Sequence, residues 1–252
     1  MITREQLISE LNETLKADEI KDYCPNGLQV EGKKEITKVV TGVTASMALI
    51  DAAIAEKADA ILVHHGYFWK GEAQAITGLK KRRLAKLLVN DINLIAYHLP
   101  IDVHPTLGNN AQLGKLLDLT NIEAVDAIKP SGVVMKGEFQ SEVTAEQLGH
   151  LLEIKLQRKP LVNAVRQQGI KNIAWCTGGG QGYIDSAADF GVDAFLTGEV
   201  SEQTIHSSRE HEIDFFAAGH HATERYGVKA VGEYLATKFG IDVKFIDIHN
   251  PA

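Results

Sequence analysis

Apolar positions along the chain change period several times, and those changes mark out the elements. Ile2, Leu7, Ile8, Leu11 and Leu15 recur at helical spacing, and Thr3-Arg4-Glu5-Gln6 has the form of a capping box, so the pattern predicts a helix opened by Thr3. Residues 22–32 are rich in turn formers. Pro25 and the Asn26-Gly27 pair rule out regular helix there. Continuous apolar runs follow: a strand over 38–43, a helix over 44–58 and a second strand over 60–63. Strand, helix and uniformly apolar strand make a βαβ unit whose parallel strands are covered on both faces. A basic amphipathic helix is expected over 80–90 and a strand over 92–97. Pro100 argues for a loop at 98–102, and 110–117 reads as a short helix.

Residues 125–165 change character, with a strand-like run over 132–139, a capping box at Thr144-Ala145-Glu146-Gln147, a helix to about residue 155 and a further strand over 161–165. This block shows solvated charge and no chemistry, and His150 reads as a surface or packing residue. The earlier pattern then returns: a strand over 172–177, a glycine turn over 178–182, a helix over 183–190 and a strand over 192–197. Ile50-Asp51-Ala52-Ala53 matches Ile184-Asp185-Ser186-Ala187, and Ala58-Asp59-Ala60 matches Val192-Asp193-Ala194, at the same spacing in each half. The expectation is an α/β protein of two similar lobes from an internal duplication, residues 1–125 and 126–252, with mixed or parallel sheets covered by helices. A functional site is expected between the lobes.

Composition narrows the class. A chain of 252 residues with 44% hydrophobic and 23% charged residues is ordinary for a globular protein. A net charge of −7 without a Lys/Arg block disfavours binding to duplex nucleic acid and leaves a small nucleotide open. Cys24 and Cys176 are the only cysteines, which excludes a disulfide framework and a CxxC metal site. The first fifteen residues lack the apolar core of a signal peptide, and no apolar run approaches the roughly 20 residues that span a bilayer. A cytoplasmic protein without a membrane partner is expected.

Histidine placement carries the chemistry. Four of the ten histidines form two doublets, Val63-His64-His65-Gly66 and Gly219-His220-His221-Ala222-Thr223-Glu224, each after a run that reads as a buried strand. Ligands bind at the carboxyl ends of strands in open α/β sheets. Imidazole and carboxylate are the donors of a first-row divalent site without thiolates. Adjacent side chains on an extended segment diverge, so a doublet suits two metals, or one ligand and one supporting group. The favoured reading is a dinuclear centre built from His64, His65, Asp102, His220 and Glu224, with a carboxylate bridging. Metals about 3.5–4 Å apart would clamp and activate water, whose pKa falls to about 7 when bound. Zinc, iron, manganese and nickel all suit these donors. His104, His206, His211 and His249 read as satisfied packing residues. The run Gly178-Gly179-Gly180-Gln181-Gly182 lacks the Lys-Ser/Thr of a P-loop, and a plain tight turn explains it as well as a phosphate cradle. Glu199 reads equally as a residue near the site and as an exposed helix-start carboxylate. Within the repeat, 98–102 aligns with 220–224 as two His-x-x-x-acid arms, so His221 supports and does not bind.

Pro25-Asn26-Gly27-Leu28-Gln29-Val30-Glu31-Gly32, the two doublets and His98-Leu99-Pro100-Ile101-Asp102 together resemble the NIF-three-like family, in its short bacterial YbgI type, whose members carry the label GTP cyclohydrolase 1 type 2 homolog. The resemblance covers nearly the whole chain. It implies two metal ions on the five donors, Glu224 as the bridge, His98 close by as a group supporting the ligands or as an acid/base group, and a homohexamer with metal sites facing an internal cavity. The expected function is metal-dependent hydrolysis of a nucleotide or related heterocycle, with His98 carrying a proton. A phosphoesterase on the same centre, and a metal-stabilised adaptor without turnover, are the alternatives.

Overall fold

The computed structural model describes residues 1–252, which divide into two compact units: Met1–Ile101 with Gly227–His249, and Asp102–Tyr226 with Asn250–Ala252. The chain begins with β1 (Ile2–Thr3), α1 (Arg4–Leu15), β2 (Gly27–Val30), β3 (Glu35–Ile36) and β4 (Lys38–Thr44). It continues through α2 (Met47–Ala55), β5 (Ala60–His65), α3 (Gly78–Val89) and β6 (Asn93–Ala96), and leaves the first unit along α4 (Leu99–Val103). In the second unit come α5 (Asn109–Leu116), β7 (Thr120–Ala124), β8 (Met135–Val143), α6 (Ala145–Leu156) and β9 (Leu161–Asn163). There follow β10 (Ile170–Cys176), α7 (Ile184–Asp189), β11 (Ala194–Thr197), α8 (Glu202–Glu210), β12 (Asp214–Ala217) and α9 (His220–Thr223). Finally α10 (Arg225–Phe239) carries the chain back to the first unit and β13 (Asp242–Phe245). The two units therefore follow a different line from a halving at residue 125, because the last helix and strand pack with the first hundred residues.

The first unit holds a five-stranded sheet in the order β13-β4-β5-β6-β2. Its first four strands are parallel and β2 closes the β6 edge antiparallel. Ala60, Ile61, Leu62 and Val63 of β5 are all fully buried, as a strand covered on both faces requires. Leu49, Ile50 and Ala53 of α2 and Leu84 and Leu87 of α3 join Val40, Ile61, Val63 and Leu94 in one apolar cluster. Fully burying one such side chain is worth about 1.5–3 kcal/mol, so this cluster is the main support of the strand ends that carry the histidines.

The second unit holds a six-stranded sheet in the order β7-β8-β10-β11-β12-β9, with β10, β11 and β12 parallel and the rest antiparallel. Alternate residues feed opposite faces. Ile173, Trp175, Leu196 and Phe216 pack with Leu148, Leu152 and Leu156 of α6. Ala174, Cys176, Phe195 and Phe215 pack with Ile184 and Ala187 of α7.

Corresponding details recur inside the units. Thr3 caps α1 and Thr144 caps α6, each with a reciprocal glutamine three residues on. Asp59 accepts the backbone N–H groups of Thr37 and Lys38 and pairs with Lys33. Asp193 does the same for Lys171 and Asn172 and pairs with Arg166. Each carboxylate thereby pins the start of one parallel strand against its neighbour.

One local expectation is corrected. Residues 99–103 are helical, since Pro100 sits in the first turn of α4, where its missing N–H has no intrahelical partner to lose. Gly27–Val30, in the turn-rich stretch, is an edge strand whose pairing with β6 shifts register between Leu28 and Val30. Glu224 is the single residue between α9, a separate turn, and α10. No helix is long and apolar enough to cross a membrane.

Candidate metal centre

In the first unit the parallel strands β5 and β6 end side by side, and the chemistry begins where they stop. His64 is the last fully buried residue of β5. Its Nδ1 lies 3.2 Å from the carbonyl oxygen of Tyr97. A carbonyl only accepts, so Nδ1 carries the hydrogen and Nε2 is the basic nitrogen. His65 bonds towards β4, its Nδ1 3.2 Å from Thr44 Oγ1. His98 follows β6. The ring centroids of His64 and His65 are 4.5 Å apart, and that of His98 is 5.0 Å from His64 and 5.7 Å from His65. One ring nitrogen from each comes within 4.8 Å of the others. Trp69 meets His98 edge-on at 4.9 Å between centroids.

Asp22, absent from the sequence-derived set, holds His98 in place. Its Oδ1 is 2.8 Å from His98 Nδ1, and the pair is 2% and 16% exposed at the side chains. Burial alone would raise the Asp22 carboxyl. The bond and charge of His98, with donors from Asn26 and Tyr23, outweigh it and hold the group below the ordinary aspartate value. Cys24 beside it is buried, and burial with the Asp22 charge pushes its thiol up to about 12, so it is no nucleophile. A polar residue in a turn-rich stretch was the only available signal for Asp22.

In the second unit Asp102 and Glu224 are buried carboxylates, 6% and 3% exposed. Asp102 Oδ1 accepts from Asn109 Nδ2 at 2.9 Å. Asn110 bonds the Asp102, Gly132 and Val133 carbonyls and accepts from Thr177 N, and its own carbonyl takes the Trp175 indole. His220 stands between two acids, Nδ1 2.7 Å from Glu199 Oε1 and Nε2 3.2 Å from Glu224 Oε2. Burial works against charge on His220. Glu224 and Glu199 overcome it and carry the imidazole to about 9, while the His220 bond holds the Glu199 carboxyl low. Glu199 thus belongs with His220, as one of its two sequence readings had it. The glycine run is a turn that also makes room for a carboxylate: at Gly178, φ is +66° and a Cβ would lie 2.1 Å from Glu224 Oε1. Gly178 N–H also donates to Thr223 Oγ1 at 3.0 Å. His221 is buried on α9 beside these groups.

Within the first unit, then, His64, His65 and His98 are gathered; within the second, His220 and Glu224 are paired, and Asp102 lies buried under Asn109. These donors suit a divalent cation. They are imidazoles and carboxylates without thiolate, and the His64 ring is oriented through its other nitrogen by a carbonyl, the usual arrangement for ligating histidine.

The sequence model of Duf34/NIF3 (NGG1p interacting factor 3) matches residues 2–251. A Haemophilus influenzae protein named "GTP cyclohydrolase 1 type 2 homolog" is 59% identical over 249 residues, covering 98% of each chain. Among solved structures, one described as "Structural genomics, protein ybgI, unknown function" shares 54% identity at a TM-score of 0.95, covering 100% of both chains. TTHA1606 from Thermus thermophilus shares 32% identity at a TM-score of 0.92, again over 100% of both.

Proposed function

The chain belongs to the Duf34/NIF3 family, and on that premise we propose that it is a cytoplasmic metal-dependent hydrolase acting on a nucleotide or a related heterocycle. The observation that carries the reading is the convergence of three ring nitrogens, from His64, His65 and His98, at the carboxyl ends of parallel strands. The name of the Haemophilus influenzae relative supports the substrate class. His64, His65, Asp102, His220 and Glu224 would hold two divalent cations, zinc, iron, manganese or nickel. Cations held there supply Lewis acidity that makes water a nucleophile near neutral pH.

The remaining work falls to the chain. His98 takes one proton from the attacking water at Nε2. The water oxygen joins a ring carbon, the carbon–nitrogen bond opens, and His98 returns the proton to the departing nitrogen. One water is consumed and no redox partner is needed. Glu199 holds the His220 ring through Nδ1, presenting Nε2 as the donor. Assembly as a homohexamer belongs to the same reading and is checked by light scattering.

The test is a metal-loaded screen against nucleotides, free heterocycles and phosphoesters, with metal content measured in parallel. Ring opening that disappears in Glu224→Ala supports the proposal. Phosphoester cleavage alone moves the reaction class to a phosphoesterase. Silence across the panel with metal retained moves the protein to a metal-stabilised adaptor.

A further inference from the structure

Asp22 lies on the irregular segment between α1 and β2, in none of the histidine or carboxylate motifs, yet both of its carboxylate oxygens are bonded. Oδ1 accepts from Tyr23 N–H at 2.6 Å and faces His98 Nδ1 at 2.8 Å. Oδ2 accepts from Asn26 Nδ2 at 3.0 Å and from Leu99 N–H at 2.8 Å. Asn26 in turn accepts the backbone N–H of His98 through Oδ1 at 2.8 Å. His98 is therefore clamped twice, at its ring by Asp22 and at its backbone by Asn26, and these two residues are bonded to each other. An ionised carboxylate has no hydrogen to give, so the donor in the ring bond is His98 Nδ1. The imidazole is then held in the tautomer whose lone pair is on Nε2.

We propose that Asp22 is the positioning residue of His98: it selects the Nδ1–H tautomer, aims Nε2 as the base, and balances the imidazolium formed once His98 has taken a proton from water. This rests on the hydrolase reading for its effect on turnover, but the tautomer it assigns is a property of the resting protein. A histidine base in the wrong tautomer loses up to about 10⁴-fold in rate in enzymes built on a histidine–aspartate pair. General-base assistance itself is worth about 10²–10⁴-fold. Asn26 secures the same geometry from the backbone side, and its contribution is smaller because the ring bond survives without it.

Asp22→Asn is the decisive variant, since it keeps the shape and replaces an acceptor with an amide that can donate to Nδ1. Expected results are a fall in kcat of about a hundredfold or more, KM within about threefold of wild type, and unchanged metal content. Nitrogen-15 spectra of histidine-labelled zinc-loaded and metal-free protein should show His98 as Nδ1–H in the wild type and Nε2–H in Asp22→Asn. In a His98→Ala background, Asp22→Asn should lower kcat no further, because both changes remove one function. Asn26→Ala, the variant to use if Asp22→Asn does not fold, should keep the Nδ1–H signature and lose roughly tenfold in kcat. An Nε2–H signature for wild-type His98, wild-type kcat in Asp22→Asn, or additive losses in the double variant would each overturn the proposal. A wild type inactive on every substrate refutes the hydrolase reading alone, and the spectra still decide the role of Asp22.

Discussion

Gly178→Ala separates the stability of the fold from the integrity of the proposed metal centre. The missing side chain is space that Glu224 uses: a Cβ would lie 2.1 Å from Oε1, 3.1 Å from Cδ and 3.2 Å from His220 Nε2. Ordinary contact begins near 3.4 Å, so the carboxylate must retreat by more than an ångström. Two consequences follow at different scales. The backbone at φ +66° costs an alanine about 1–2 kcal/mol, partly offset by about 0.4–1 kcal/mol from reduced freedom of the unfolded chain. The clash adds little to that, because Oε1 is the end of a flexible side chain. Net destabilisation near 1 kcal/mol lowers Tm by about 2–4 °C for a chain of this size. With Glu224 in its proposed role as a ligand, the effect on metal is larger, since a supporting contact to a ligand is commonly worth about 10–100-fold in affinity. Thermal melts of metal-free protein, paired with calorimetric titration of zinc or manganese, measure both. A Tm within a few degrees of wild type with metal affinity reduced at least tenfold is expected. Wild-type affinity and stoichiometry in a folded Gly178→Ala protein would remove Glu224 from the ligand set.

His65→Ala should lower bound metal per chain and abolish turnover while leaving the melt nearly unchanged, because His65 is only half-buried at its strand end; elemental analysis after dialysis checks it. Asn110→Ala should cost about 2–4 kcal/mol in urea unfolding, since it leaves the Thr177 N–H and several buried carbonyls without their side-chain partner. Asp59 is held at about 2, burial raising it but the Lys33 and Thr37 side chains and two backbone N–H groups together lowering it more. Because the folded value lies below the unfolded one, its contribution is present above about pH 4 and disappears as pH falls through about 2. Urea melts across pH should therefore find Asp59→Asn less stable than wild type at neutral pH, the gap closing towards pH 2; a gap independent of pH would contradict this account.

Local signals were legible wherever the structure is local. The capping boxes at Thr3 and Thr144 formed as read, because the bonds they make span three residues. The buried runs around Val63, Ala96, Cys176 and Thr197 became parallel strands, since only a strand covered on both faces needs so many consecutive apolar residues. The histidine doublets were placed at strand ends from the same runs. Pro100 misled because the rule against proline in helices applies to interiors, and a five-residue helix places it in the first turn. The strand at Gly27–Val30 was hidden by neighbouring turn formers, its pairing partner β6 lying some sixty residues further on.

The amino-acid sequence by itself determined the α/β class, the βαβ units and the donor types, because periodicity and side-chain chemistry are properties of short stretches. Only the tertiary structure decided which groups hold those donors. Asp22 reaches His98 across 76 positions, Glu199 reaches His220 across 21, and Gly178 leaves room for a carboxylate 46 residues away. A hydrogen bond or a shared volume depends on where backbones cross, and that is fixed by the packing of whole sheets, which no local pattern records.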